Sequence, residues 1–349
     1  MFDVLTIGTA TRDVFLTSPL FKIVRDPEHL ERLGFPTGEA QCFALGGKLE
    51  IGKPILTIGG GASNSAMTFA RQGLKTAALI KIGDDDNGRA ILGDLKKEGV
   101  TALALRDKET ATAYSVILLS PSGERTILNY RGASEFLKKN ELPAGKLKAR
   151  WAYISPGRIH LEVIQSLLRD LKKNKTMIAM NPSKYYLELG LKRFKPILDK
   201  LDVVIMNREE ASYLTRIKYE DEKRIFKKFD ELANCLAIMT EGSKGVLVSD
   251  GKTVYKAGIY KEKRVIDRTG AGDAFGSGFV ASLAESSKKK NYHSCVYDPK
   301  VIESAIKLGS ANATSVVEKI GAEAGILTKK EFEKESRFKN LPIHLEHLL

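Results

Sequence analysis

The chain has 349 residues, 43% of them hydrophobic and 28% charged, a balance that excludes a disordered or collagen-like polymer and allows a sizeable core. Its net charge of +13 could serve nucleic acid, but lysines alternate with acids, as in KRIFKKFDE, instead of gathering with aromatics; no nucleic-acid partner is expected, and the basic balance suits anionic phosphates. No run approaches the roughly 20 apolar residues of a spanning helix, and Cys42, Cys235 and Cys295 show no CxxC spacing, so neither membrane association, nor a disulfide framework, nor a zinc knuckle is expected, and a cytoplasmic location fits.

The opening MFDVLTIGTATRDVF enters a strand pattern at once, so no leader is expected. Short runs apolar on both faces then recur: VLTIG at 4–8, KTAALIKIG at 75–83, WAYIS at 151–155, TMIAMN at 176–181, LDVVIMN at 201–207 and CLAIMT at 235–240. Buried parallel strands need that pattern. The amphipathic stretches NSAMTFARQG, ILGDLKKEGV, LEVIQSLLRDLKKN and REEASYLTRI read as helices that return the chain by right-handed crossovers. The prediction is a doubly wound, mostly parallel α/β sheet flanked by helices, in one domain over 1–349. Two regions break the rhythm. TAYSVILLSPSGERTILNYRGA at 112–133 reads as a hairpin about the turn SPSGE; with strand material from parts of 11–58 it predicts a small β-sheet lid over one end of the core. Residues 18–54 have no clear period and receive no role. Lys288–Lys290 reads as a solvated loop.

The strongest chemical signal is VIDRTGAGDAFGSGFVASLAE at 265–285, read as a short strand running through glycines into a helix of small residues. Gly270 and Gly272 let the backbone turn and expose its N–H groups, and a helix start adds the positive end of its dipole, which together suit a phosphate. Asp273 stands beside that site, where a carboxylate can take the proton of an attacking hydroxyl. Two other readings of the string stay open: a purely structural turn with Asp273 as a first-turn charge, and a dinucleotide fingerprint, which Phe275 and the late position oppose. No GxxxxGK loop followed by Ser or Thr occurs in the chain, so any phosphoryl transfer must use another cradle.

IDRTGAGDAFGSGF resembles the signature of the ribokinase-like, or PfkB, carbohydrate kinases, usually DTTGAGD followed by a small-residue helix. IGGGASNSAMTFARQGLKTAALIKIGDDDNGRAILGDLKKEGV resembles that family's first signature. ATAYSVILLSPSGERTILNYRGA is similar to its lid hairpin, MNREEASYL to its N-x-x-E element and MTEGSKGVLV to its T-x-G-x-x-G nucleotide loop. The resemblance covers nearly the whole chain and implies an ATP-dependent kinase acting on a sugar hydroxyl through in-line transfer.

The same resemblance implies roles residue by residue. Asp273 would be the general base, with Gly270, Ala271 and Gly272 as an anion hole. Asp13, Gly60, Gly61 and Asn64 would hold the substrate. Asn207, Thr240, Gly242 and Gly245 would bind the nucleotide, and Glu210 with Asn207 would position Mg²⁺. Asp267 and Thr269 would flank a K⁺ site, although Arg268 stands where the family usually has Thr. Seen locally, NREE is also an ordinary helix start and TEGSKG an ordinary β-turn. Arg158, after a strand end, reads as a surface arginine or a phosphate contact, and His160 has no Ser or Cys partner in motif spacing. A nucleoside kinase, a non-catalytic sugar or nucleotide sensor and an NAD-dependent oxidoreductase remain as competing readings. The lid's edges suggest a homodimer, unless the long segment before Gly59 covers them and leaves a monomer.

Overall fold

The computed structural model describes residues 1–35, 38–120, 124–143, 145–289 and 297–347, with side chains up to Ser287 in the long helix that ends at Lys289. Its strands are β1 (Phe2–Gly8), β2 (Thr11–Thr17), β3 (Lys22–Arg25), β4 (Glu39–Cys42), β5 (Ile55–Gly59), β6 (Thr76–Gly83), β7 (Thr101–Asp107) and β8 (Tyr114–Leu119). They continue as β9 (Arg125–Tyr130), β10 (Ala149–Ser155), β11 (Met177–Met180), β12 (Val203–Asn207), β13 (Leu236–Thr240), β14 (Val246–Ser249), β15 (Thr253–Ala257) and β16 (Ile343–His347).

Ten strands form the main sheet in the order β16-β15-β14-β13-β12-β11-β10-β1-β6-β7. The segment from β13 to β7 is parallel throughout, and β14 to β16 add antiparallel strands at one edge. All eight residues of β6 are buried, as expected where helices cover both faces. One face, with Leu5, Ile154, Met180 and Met206, packs on Leu161–Lys173, Leu191–Leu198, Arg208–Thr215 and Glu222–Leu232. The other, with Val4, Tyr153 and Ile205, packs on Ala271–Lys289 and Pro299–Val317, while Ala78, Ile80 and Ile82 meet the helices Gly61–Arg71 and Asp86–Lys97. Small residues let helices close in: a Cβ on Gly278 would lie 3.1 Å from the Cα of Gly309. This is the doubly wound α/β fold that the apolar runs predict.

A four-stranded sheet, β5-β2-β8-β9, is built from 11–17, 55–59 and the 114–130 hairpin; its turn at 121–123 lies outside the described residues. The approach of the two sheets before β8 is tightly made. A Cβ on Gly83 would sit 2.5 Å from the Thr112 N, and Thr112 donates through N (2.8 Å) and Oγ1 (2.6 Å) to the Asp85 carboxylate. Within 18–54, β3 and β4 pair around the helix Pro27–Arg32, so this stretch is a small hairpin unit with no apolar period to announce it.

Two expectations are corrected. Residues 258–268 form no strand: Ile266 and Asp267 donate their N–H groups to Val317 O at 2.8 and 3.2 Å, which ties the segment to a helix end instead of the sheet. Cys42 is free and exposed, but Cys235 is disulfide-bonded to a partner outside the described residues. Sequence spacing could not reveal that approach, so cysteine usage carries no argument about compartment. Lys288–Lys290 lies outside the residues whose side chains are described. Among the described residues no helix is long and apolar enough to cross a membrane.

Candidate active site

The carboxyl ends of the parallel strands converge on one edge of the sheet, where open α/β folds place ligands. Gly8, Ser155, Asn207 and Thr240 end β1, β10, β12 and β13 there, with the four-stranded sheet alongside.

Gly270 has φ +79° and its Cβ would lie 2.4 Å from the Ala322 Cβ, so a side chain at this turn would be both strained and blocked. Ala271 opens the following helix, whose first N–H groups have no intrahelical acceptor. Asp273 lies in its first turn, half-buried, and its Oδ2 accepts a hydrogen bond from Asn64 Nδ2 at 3.0 Å. Burial raises the Asp273 pKa above the usual carboxylate range; the Asn64 bond works against this and the nearby charge of Asp13 adds to it.

Asp13, in β2, is 8% exposed and accepts from Thr11 Oγ1 at 2.8 Å. Burial raises its pKa too, opposed by bonds from Thr11 and Ser115. The Gly59–Gly61 turn runs between the two carboxylates. A Cβ on Gly59 would fall 1.9 Å from Asp13 Oδ2, and one on Gly61 would fall 1.9 Å from Ser155 Oγ and 3.3 Å from Asp273 Oδ1. Gly60 adopts φ +90°. The bare backbone of this turn thus lets Asp13, Ser155 and Asp273 approach it closely, and with Asn64 they form a polar cluster whose groups can bond hydroxyls. Asn64 Oδ1 is buried with no partner among the described residues.

Asn207 and Glu210 form a capping box: Glu210 N donates to Asn207 Oδ1 at 2.8 Å and Asn207 N to Glu210 Oε2 at 2.9 Å. The local reading as a helix start is therefore satisfied. Yet burial pushes the Glu210 carboxyl up to about 7, with the charges of Glu209 and Asp273 adding to the rise and the Asn207 N–H opposing it. A desolvated carboxylate with electrostatic reach to Asp273, and beside an amide oxygen, is a hard-oxygen donor set that fits Mg²⁺.

Thr240 ends β13, and Gly242 (φ +57°) and Gly245 (φ +99°) bound the turn after it. A Cβ on Gly245 would lie 2.0 Å from Ala257 O. Nothing in the local pattern signals that Arg208 anchors this turn. It is 7% exposed, pairs with Glu241 at 3.0 Å, and lies over the Tyr219 ring at 4.6 Å.

Asp267 is fully buried; its carboxylate accepts from Thr269 N (2.9 Å), Thr269 Oγ1 (2.7 Å) and Gly321 N (3.0 Å). Both residues brace the glycine turn. Arg268 points away from it, to Glu124 of the hairpin that carries β8 and β9, at 2.8 Å. Arg158 is 54% exposed in its side chain, 3.6 Å from Glu135, and lies over Tyr185, a surface position. His160 occupies the exposed N-cap position of Leu161–Lys173. Thr11, Ser115 and Ser155 are members of the site that sequence reading missed, since nothing but strand register brings them there.

Known proteins resemble this chain over most of its length. The chain is 28% identical to a ribokinase of Haemophilus influenzae over 285 residues, covering 79% of this chain and 86% of that protein. It is 27% identical to a cytidine kinase of Thermococcus kodakarensis over 277 residues, covering 77% and 91%. A solved ribokinase of Arabidopsis thaliana, complexed with ribose and ATP, superposes with a TM-score of 0.72 at 20% identity, covering 97% of this chain and 98% of that one. The pfkB family carbohydrate kinase model matches residues 41–329, a span holding both glycine turns and Asp273, and the chain accordingly belongs to that family, whose members phosphorylate an alcohol group.

Proposed function

We propose that this protein transfers the γ-phosphoryl group of ATP to a sugar hydroxyl, in line, with Asp273 as general base. The carrying observation is the placement of Asp273: in the first turn of the helix behind the Gly270–Gly272 turn, held by Asn64, with Asp13 close enough for its charge to be felt. The ATP and ribose bound to the Arabidopsis ribokinase support the choice of donor and acceptor class.

In this mechanism Asp13 fixes the acceptor by accepting hydrogen bonds from its hydroxyls. Asp273 accepts the proton of the attacking hydroxyl, and the N–H groups of the Gly270–Ala271–Gly272 turn stabilise charge on the transferred group. Thr240, Gly242 and Gly245 line the nucleotide, and Asn207 and Glu210 would hold Mg²⁺, which would supply neutralisation of phosphate charge. K⁺ enters the proposal as a modulator of the loop that Asp267 and Thr269 brace; replacing KCl by choline chloride at constant ionic strength tests it, and an unchanged rate removes it.

The four-stranded sheet acts as a lid on a single domain over 1–349, excluding the water that would otherwise waste ATP. A homodimer through that lid completes the proposal. The test is ADP release from Mg-ATP with ribose, fructose, other sugars, adenosine and cytidine; the cytidine kinase likeness keeps nucleosides in the panel. Asp273→Asn is expected to cut kcat at least about 1,000-fold while staying folded. Full activity in the variant would remove Asp273 from the chemistry.

A further inference from the structure

Behind Asp273 lies a pair of hydroxyls that packing alone does not explain. Tyr153, in β10, is fully buried in the apolar cluster that holds Val4, Phe69, Ile205 and Phe279, and its ring meets that of Phe69 edge-on at 5.7 Å. A phenylalanine would fill the same space. The phenol oxygen instead reaches the helix Ala271–Lys289, where a Cβ on Gly276 would fall 2.4 Å from it. Glycine three residues after Asp273 is therefore what lets the hydroxyl fit. Ser65, in the helix Gly61–Arg71, is also fully buried and stands within reach of the Tyr153 hydroxyl.

Neither Tyr153 Oη nor Ser65 Oγ completes a hydrogen bond of good geometry among the described residues. A buried hydroxyl left so destabilises the fold, and Phe and Ala at these positions would avoid that cost. Both hydroxyls stand behind one charged group. Asp273 is held by Asn64, the residue before Ser65, and its charge is felt at the phenol. Ser155, two residues beyond Tyr153 and so on the same face of β10, brings that row up to the carboxylate: Ser155 Oγ and Asp273 Oδ1 lie 1.9 and 3.3 Å from a Cβ on Gly61.

Resting on the reading of Asp273 as the base, we propose that Tyr153 and Ser65 are its positioning pair: their hydroxyl dipoles turn toward the carboxylate from the protein side, favour its ionised form and keep it aimed at the acceptor hydroxyl. Neither touches substrate. The phenol keeps its proton throughout, since burial and then the charge of Asp273 raise its pKa, so it serves as a donor and not as a second base. The other charges that reach Asp273 are those of Asp13, from β2, and Glu210, from Arg208–Thr215. Both disfavour its ionisation, which leaves the Asn64 amide and this pair to oppose burial.

The experiment compares the wild type, Tyr153→Phe and Ser65→Ala, each with and without Asp273→Asn, using Mg-ATP and the acceptor turned over fastest in the panel above. Tyr153→Phe is expected to cut kcat about 10-fold with the acceptor KM within about twofold, and to move the acid limb of kcat/KM up by about half a pH unit or more. Added to Asp273→Asn it should cost nothing further, because it acts through the carboxylate. A second readout needs no turnover: the melting gap between each protein and its Asp273→Asn form, followed across pH. That gap should keep widening to higher pH in Tyr153→Phe than in the wild type, since a higher folded pKa extends the range over which ionisation costs stability. Ser65→Ala carries the same test if Tyr153→Phe folds poorly. An acid limb and a gap that stay at the wild-type pH in both variants overturn the pair's role and leave the base standing. A shifted gap with full activity in Asp273→Asn overturns the base and sustains the pair's hold on the carboxylate.

Discussion

Asp273 and Asp13 are carboxylates placed where their charge is costly. Because burial raises the Asp273 pKa in the folded protein above its unfolded value, the folded state holds that proton more tightly, and the group's contribution to stability falls as pH rises through the folded pKa. Asp273→Asn removes the ionising group. At neutral pH the variant is therefore expected to melt at a higher temperature than the wild type although its activity is lost, and differential scanning calorimetry across pH should show the gap opening as pH rises from below the ordinary carboxylate value of 3.8; equal melting temperatures throughout would contradict the burial argument. The sign for catalysis is opposite. In its proposed role as base Asp273 must be ionised, so kcat/KM should decline as pH falls through the raised pKa. Glu210 adds a limb near 7, and Glu210→Gln, which keeps an acceptor for the Asn207 N–H, should remove the part of the pH dependence of stability that falls around neutrality. Gly270→Ala joins a φ of +79° to a Cβ at 2.4 Å from Ala322. A loss of about 1–3 kcal/mol in stability is expected from that strain, read as a lower midpoint in urea.

Among the elements, the parallel strands were legible because burial on both faces leaves an uninterrupted apolar signal, as in TAALIKIG of β6. The helix bearing Asp273 was legible from its glycine turn, but the strand expected before it was not there: the N–H groups of Ile266 and Asp267 bond to the end of another helix, and local composition cannot show a partner fifty residues away. The same limit hid Arg208 under the Gly242–Gly245 turn and Ser115 beside Asp13, since both depend on tertiary neighbours. Arg268, the departure from the family string, finds its partner in the lid, Glu124. Both side chains are 59% exposed, so the pair should add at most about 1 kcal/mol to stability. It nevertheless joins the glycine turn to the lid hairpin. Arg268→Ala should leave the melting temperature unchanged while raising the acceptor KM and the ratio of ATP hydrolysed to sugar phosphorylated. A tightly coupled product yield in the variant would show that the lid closes without this contact.

At the scale of the whole molecule, the small sheet has two faces with different work. The face with Asp13 turns toward the site. The opposite face carries Leu56, Leu128 and Tyr130, which are 54%, 56% and 51% exposed; register places Leu56 and Leu128 in one row and Tyr130 in the next. β5 and β9 are both edges of that sheet, and β9 has five exposed residues among six. An apolar face that ends in an unpaired edge is a liability for a monomer and an opportunity for a symmetric partner. Residues 18–54 fold into their own hairpin unit with β3 paired to β4, so no strand of that stretch pairs with β5 or β9. A second copy laid edge to edge would cover the leucines and complete the ladder, and it would also couple lid opening in one protomer to its partner. Sedimentation equilibrium is expected to give a dimer for the wild type and a monomer for Leu128→Lys, with the acceptor KM raised in the monomer because each lid loses its support. A monomeric wild type at micromolar concentration would refute the interface, and would leave the two edges to be protected by the twist and shortness of β5 and β9 alone.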